Sequence, residues 1–505
     1  MKQRTITGNL SALFIVFATV LFVLSNVFIS ETIQQELEGF RVVQYDKGNQ
    51  PYGCRFTGLN SPIATLSGAG SSLSAARNVI IVNLDEVLGN NTKTSFSTIQ
   101  NQLNREDVSG MLIVIPKAEL TFELIEQFRP IEKQLLLSKF EKPIYFVFEN
   151  DKTREILNNF QTTGEVSILD ESYQAVVTES EAKPIEQIPI VNIQSVLNGK
   201  VADKSASTIG IVAHYDTINA IPGLSNGVAG SSSTGMIGLL EISRLFQKLY
   251  AVQATKGSQN LLFVLTGGSR LGFAGTKHWL KQLDQRILNR LDFVLCLDSL
   301  TSMIEQQKLY IHISEKTNDK NVINLYKHFV QTAKQMQIDL QFIEKKVERE
   351  YVWEHEVFSK KGILSATIST QSTPASSMLT KTSALDVTSP NLDQLKKNIK
   401  FISESLARHI YDIDHNIRFF EDENGKFIQS FVKAVGKTSR FTPVLNKDSD
   451  MVKTIKNVSS IFISINTMYI DHATILHWTS PSSRFHLGQL PIQVLHQHTS
   501  QSLNP

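Results

Sequence analysis

Apolar positions recur along this chain in three ways. Residues 10–29 form a run of 20 positions without a charged side chain, long enough to span a bilayer. Residues 79–82, 111–115 and 144–148 are short continuous runs rich in branched and aromatic side chains, the pattern of buried strands. Between the last two, Leu120, Leu124, Phe128, Ile131 and Leu135 return at helical spacing over 118–137, with Pro130 as a point of kinking or division. Strand, helix and strand in alternation predict an α/β layer. Residues 180–207, with Pro184, Pro189, Gly199 and scattered charges, read as a connection. The alternation then resumes, with strands predicted at 209–213, 261–265, 293–297, 309–313 and 363–368 and helices over 235–250, 321–335 and 392–411. Leu239, Ile242, Phe246 and Leu249 put an apolar stripe on the first of these helices. The last 90 residues are less regular, and 461–470 alternates but is too short to cross a membrane. This divides the chain into a leading segment 1–31, an α/β lobe 32–200, a second α/β unit 205–415 and an irregular extension 416–505.

A chain of 505 residues exceeds one ordinary core, and 41% hydrophobic against 19% charged residues describes large folded cores rather than disorder. Fifty Lys and Arg against 48 Asp and Glu leave a net charge of +2, with no bulk field for a phosphate backbone, which argues against nucleic acid as a partner. Two cysteines, Cys54 and Cys296, are too few for a disulfide scaffold and lack zinc-site spacing. They are either one bridge or, the simpler reading, two buried thiols. Lys2 and Arg4 precede the apolar run, and Glu31, Glu36 and Glu38 follow it, so the positive-inside bias sends the remainder across the membrane into the secretory pathway. The run is a cleaved signal peptide or a retained signal anchor; its length favours the second and its small polar end residues allow the first. Asn90 and Asn457 head glycan acceptor triplets, which have meaning on the lumenal side.

The chemically informative stretch starts where the 209–213 strand ends in His214-Tyr215-Asp216, followed by Pro222-Gly223, a small-residue loop and the amphipathic helix. A histidine at a strand's C-terminal end, with a carboxylate two positions on to fix its ring, is a candidate metal ligand with its orienting partner. The next strand leads into residues 266–276, and the one after it into Asp298-Ser299, so three strands deliver polar residues to one sheet edge. Trp353-Glu354-His355-Glu356 reads most simply as a packing corner with solvated charges; alternatively His355, Glu354 or Glu356 joins a remodelled mononuclear site. No nucleophile elbow, phosphate loop or Cys/His pair is present.

In this order the chain resembles the zinc-aminopeptidase fold shared by co-catalytic aminopeptidases, the transferrin receptor ectodomain and nicastrin, and most closely the nicalin-like family of the endoplasmic reticulum membrane. The residues that carry the resemblance include Gln44-Tyr45-Asp46, Gln50-Pro51-Tyr52-Gly53, residues 211–216, Leu239-Leu240-Glu241 with Arg244-Leu245-Phe246, Gly275-Thr276-Lys277 with Trp279-Leu280, residues 293–298 and Trp353-Glu354-His355-Glu356. The likeness spans about 40–450 and implies a mixed sheet flanked by helices. An active member of the fold uses a histidine, a bridging aspartate, a glutamate pair as base and ligand, a further aspartate and a final histidine. His214 and Asp298 match the first and the later aspartate. By the same alignment the bridging position falls on Gly230 and the glutamate pair on Ser269 and Arg270, which removes a bridge, a base and a ligand and brings in a fixed cation. The loop after the 363–368 strand holds no histidine. Two surviving ligands are fewer than the three a catalytic zinc requires.

The resemblance therefore implies a pseudo-peptidase, with 205–415 as the aminopeptidase-like domain. No residue is assigned to catalysis, metal or cofactor, and His214 and Asp298 are vestigial ligand positions. It further implies a place in an endoplasmic reticulum membrane complex, with a multi-pass membrane protein and a large lumenal protein as partners. That complex stands at the translocon, assists insertion of multi-pass proteins and, in the family, is connected with restraint of Nodal signalling. The competing expectations are a secretory-pathway metallo-aminopeptidase with a rebuilt site and a cell-surface receptor ectodomain. In one respect the chain departs from the family: its relatives are alike in a hydrophobic spanning helix near the C-terminus, and after about Lys456 this chain has none.

Overall fold

The computed structural model describes residues 32–42, 44–47, 50–54, 63–68, 78–88, 96–116, most of 127–163, 171–177, 184–185, 190–200, 206–217, 233–269, 272–301, 308–348, 351–373, 390–413, 417–420, 425–438, 440, 448–460, 465–470, 485–486 and 489–498. The apolar run 10–29, Asn90, Gly230 and Arg270 lie outside them, as does much of the helix expected at 118–137. Among the described residues no helix is long and apolar enough to cross a membrane.

The first half of the chain builds a closed sheet from β1 (Thr32–Arg41), β4 (Ile63–Gly68), β5 (Asn78–Asn83), β6 (Val108–Ile115), β8 (Ile144–Phe148) and β9 (Glu171–Val177), completed by β20 (Gln489–His498) from the far end of the chain. The hydrogen-bonded order is β1-β20-β9-β4-β5-β6-β8, and β8 pairs back with β1. Alternation along β6 explains its continuous apolar run: Met111, Ile113 and Ile115 enter one apolar cluster and Leu112 and Val114 another, so both faces are buried. Helices α1 (Leu84–Leu88) and α2 (Phe96–Leu103) supply Leu84, Val87 and Leu103 to the first cluster. Helix α3 (Asp151–Thr163) supplies Ile156 and Leu157 to the second. Short strands β2 (Gln44–Lys47), β3 (Gln50–Cys54), β7 (Lys139–Phe140), β10 (Pro184–Ile185) and β19 (Phe485–His486) form a separate five-stranded sheet.

The second sheet has eight strands: β11 (Ile190–Leu197), β12 (Thr208–His214), β13 (Asn260–Thr266), β14 (Leu291–Leu297), β15 (Lys308–Ile313), β16 (Asp339–Glu344), β17 (Ser365–Ser369) and β18 (Ile465–Ile470). Its order is β16-β15-β17-β14-β12-β13-β11-β18. The centre, β13-β12-β14-β17, is parallel, while β11, β15 and β18 add antiparallel pairs. On β12, Ile209, Ile211 and Ala213 pack under α4 (Thr234–Tyr250) and α9 (Leu392–Tyr411), whereas Val212 joins Trp279 of α5 (Ala274–Gln282) and Phe358 of α8 (His355–Ser359) on the other face. Helix α6 (Gln285–Leu288) follows α5 directly. Helix α7 (Lys320–Met336) starts where the Asp319 carboxylate accepts the Val322 amide, and α9 where Asn391 accepts that of Gln394. Cys296, on β14, is buried.

The mixed α/β fold expected from the sequence is the fold observed, with two differences of detail. The stretch 180–207, read as a connection, holds β11, so the second sheet takes in a strand before Thr208. The extension 416–505, read as irregular, forms α10 (Lys426–Gly436) and α11 (Asp450–Ser460) and sends β18 into one sheet and β20 into the other. Neither strand carries the branched continuous run of β12 or β14, because each is added beside strands that already hold the core.

Candidate functional site

The C-terminal ends of β12, β13 and β14 come together at one edge of the second sheet, as the order of the sequence motifs predicts. His214, Thr266 and Asp298 occupy that edge and are buried. Around them the chain is tied down by side chains. The Thr234 hydroxyl at the start of α4 accepts the Leu300 amide at 2.7 Å, and the Asn192 amide group donates to the Gly275 carbonyl while its oxygen accepts the Gly267 amide. Such bonds satisfy backbone groups that the strand ends would otherwise leave buried and unpaired.

The imidazole of His214 stands between two carboxylates. Its Nδ1 is 3.7 Å from Oε2 of Glu354, and its Nε2 is 3.9 Å from Oδ1 of Asp298. Glu354 reaches this point from the turn before α8, where its other oxygen accepts hydroxyls from Thr266 at 2.7 Å and Thr276 at 2.6 Å. Burial raises the Glu354 pKa, but the hydrogen bond and charge of His214, with the two hydroxyls, outweigh it and hold the carboxyl below its ordinary range. The second Asp298 oxygen accepts the Ser369 hydroxyl at 2.9 Å.

The sequence expectations for neighbouring residues change here. Asp216, read from the sequence as orienting the His214 ring, has both its oxygens on the Ser269 amide at 3.1 Å, and the carboxylate that faces Nδ1 is that of Glu354, at 3.7 Å. The charges of Glu354, His355 and Glu356 were expected to be solvated, yet all three residues are buried, as is Trp353, whose ring stacks on His312 at 4.1 Å. His355 turns Nδ1 to the Thr367 hydroxyl, and Glu356 accepts the amides of Val352 and Trp353. The place of Glu354 at the edge was not legible from spacing. The one available signal is an acid within the mostly apolar Val352-Trp353 and Val357-Phe358 surroundings, where a carboxylate needs partners.

The fold implies a zinc site, and its fit can be judged from the donors. Of the side chains at the edge, His214 Nε2 and Asp298 Oδ1 face one another as two ligands of one ion would, with Glu354 in the orienting position behind the histidine. Among the described residues no third donor joins them: Ser269 offers only a hydroxyl, and Ser369 caps the far oxygen of Asp298. Among the described residues no three His, Cys, Asp or Glu side chains are grouped to hold a metal. This set does not fit a catalytic zinc, which needs three protein ligands. What the arrangement can do is neutralise and lock a sheet edge.

That lock has a measurable worth. Glu354→Ala strands two hydroxyls and removes the carboxylate that faces the His214 ring, and is expected to cost about 3 kcal/mol, whereas His214→Ala is expected to cost about 1–3 kcal/mol. Because the folded pKa of Glu354 lies below its unfolded value of 4.5, its contribution is present at neutral pH and is lost as pH falls through the folded value. Urea unfolding of wild type and Glu354→Ala at pH 7 and at about pH 3.5 should therefore show the gap between them narrowing in acid. An unchanged gap would mean that the carboxylate charge is not what holds the edge.

Residues 207–439, which span β12 to α10, match the family model of the nicastrin large lobe. In structure the chain is similar to the crystal structure of the gamma-secretase component nicastrin, with a TM-score of 0.64 at 10% identity, covering 91% of this chain and 100% of that one. This likeness shows a shared fold. In sequence it is similar to the zebrafish protein named BOS complex subunit ncln, 27% identical over 475 residues, covering 85% of this chain and 80% of the relative. It is also similar to the Caenorhabditis elegans protein named nicalin, 25% identical over 426 residues, covering 76% and 71%. The resemblance to nicalin read from the sequence is thus borne out over most of the chain.

Proposed function

We propose that this chain is a non-catalytic subunit of a membrane complex of the BOS type, directed into the secretory pathway by residues 10–29 as signal peptide or signal anchor, with its folded bulk in the endoplasmic reticulum lumen. The observation that carries the non-catalytic reading is the state of the sheet edge: the Glu354 carboxylate and two hydroxyls engage what remains of a ligand set, and Ser269 offers no general base. Similarity over 85% of the chain to a protein named as a BOS complex subunit supports the assembly. Residues 205–415 then serve as a pseudo-peptidase domain used for binding. The partners are a multi-pass membrane protein and a large lumenal protein at the translocon, and the work is assistance to insertion of multi-pass proteins.

The test is purification of the tagged full-length chain from membranes in mild detergent, followed by identification of what accompanies it and elemental analysis. A multi-pass protein and a large lumenal protein should co-purify, with zinc well below one ion per chain. About one or two zinc ions per chain, lost on His214→Ala, would support a metallo-aminopeptidase instead. The same preparation tests topology. Asn457 is exposed on α11, and it and Asn90 are the acceptor sites this topology makes available, so endoglycosidase should shift the band; no shift, together with protease access to the folded part in sealed microsomes, contradicts a lumenal location.

A further inference from the structure

A cavity of about 270 Å³ lies where α4, α7, α9 and α10 meet, and none of the residues of the His214 edge lines it. Its floor is apolar. Leu245, Ile399, Phe420 and Ile428 are buried members of the largest apolar cluster, and the half-buried Met336 packs against that cluster. Its rim is cationic: Lys396, Lys397 and Lys400 of α9 line it, with Lys396 and Lys400 one turn apart, about 6 Å along the helix. Among the described lining residues the one acid is Glu241, whose two oxygens are already on the Arg244 guanidinium, so it does not offset the lysines. A Cβ at Gly425 would lie within 2.8 Å of three side-chain carbons of Lys396, so the apolar stem of that lysine crosses Gly425. Its ammonium stands 3.3 Å from the Asp393 carboxylate, which is exposed, and Lys397 donates to the Gln337 carbonyl at 3.2 Å. Exposed contacts of this kind are worth little, and a ligand's carboxylates can replace them.

Pockets that enclose a drug-sized ligand run to roughly 300–1,000 Å³. The cavity falls just under that range, so it takes one large side chain rather than a whole cofactor. The apolar floor favours burial of such a side chain, and the ammonium groups at the rim select what stands beside it. We propose that this cavity docks an acidic linear segment of a partner protein, with one side chain the size of leucine, methionine or phenylalanine in the cavity and flanking carboxylates on Lys396, Lys397 and Lys400. Carboxylates two residues apart in an extended chain stand about 7 Å from one another, close to the spacing of Lys396 and Lys400. A single-headed amphiphile has one anionic group for three ammonium groups. The site stands apart from the assembly proposed above, since the chain can hold such a segment whether or not BOS-type partners accompany it.

The experiment titrates the full-length chain, in digitonin, into the fluorescein-labelled peptide Gly-Ser-Asp-Glu-Leu-Glu-Asp-Ser-Gly and reads anisotropy. Saturable binding is expected, weakened about tenfold or more by serine in place of the central leucine, and as much by Lys396→Gln with Lys400→Gln. Lys396→Arg with Lys400→Arg should restore it. Met336→Trp, which fills the cavity, should abolish binding in protein that melts with wild type, and the lysine variants keep the test decisive should Met336→Trp fold poorly. Equal binding of the leucine and serine peptides, indifference to the lysine variants, or no binding to wild type overturns the site. In sequence Glu421, Asp422 and Glu423 stand between the lining residues Phe420 and Gly425. Binding that appears only after all three are changed to their amides gives the lysines to the chain's own acids and overturns a partner site. Saturable binding of dodecanoate with none of the peptide overturns it in favour of an amphiphile.

Discussion

Gly235→Ala is expected to leave the chain largely unfolded. Gly235 opens α4 directly against the end of β14, and a Cβ there would lie 2.3 Å from the Asp298 carbonyl oxygen and 2.5 Å from that of Leu297. Both are backbone atoms of a central strand, so no side-chain rotation can relieve the contact. The helix would have to withdraw, and with it Met236, Ile237, Leu239, Leu240 and Ile242, all buried in the largest apolar cluster. Overpacking ordinarily costs about 1–3 kcal/mol; with backbone on the opposing side the cost should exceed about 3 kcal/mol, seen as a fall in melting temperature of roughly 10 °C or as loss of soluble protein. Gly362→Ala is the control. Its φ of +76° makes alanine strained, but nothing lies within 4 Å of the added atom, so about 1–2 kcal/mol is expected there. If the two variants melt alike, the close approach of helix and strand is not what the glycine provides.

The second large effect belongs to Glu241 and Arg244, a turn and a half further along α4. Both are buried, and the guanidinium grips the carboxylate with two bonds, Nε to Oε2 at 2.8 Å and Nη2 to Oε1 at 2.7 Å, while its plane lies 4.2 Å from the Phe427 ring centre of α10. Arg244→Leu leaves an unmatched carboxylate in the interior and should cost about 3–5 kcal/mol. Glu241→Leu with Arg244→Leu removes both charges together. The double variant should then be far closer to wild type than the sum of the single losses, since a well-packed apolar pair can replace a buried ion pair at little cost. Denaturant unfolding of all four chains completes the cycle. Losses that simply add would show that the two residues act independently.

How much of this was legible beforehand depends on how local the cause is. β12, β13 and β14 announce themselves because both faces of each are covered, which forces an unbroken apolar run such as 261–265. Helices α4, α7 and α9 do so because one face of each is apolar at a period near 3.6. The meeting of His214 and Asp298 followed from the order of parallel strands. Glu354 did not, since its position depends on a turn that brings residue 354 to hydroxyls on residues 266 and 276, and no spacing in the chain encodes that approach. β11 was hidden by the prolines before it, and β20 contains Pro491 and joins strands made from residues hundreds of positions away. Short-range periodicity carries no trace of such a partner.

That last pairing also imposes a timetable. A ribosome adds roughly 5–20 residues per second, so the interval between the emergence of Thr32 and of its partner Gln497 is on the order of half a minute. Throughout it β1, and from residue 177 onward β9, lack the neighbour they share. Unpaired edges of this kind are where nascent chains recruit chaperones or one another. The second sheet's parallel centre, complete by Ser369, can assemble while the first still waits, and the ring closes only once β20 has been made.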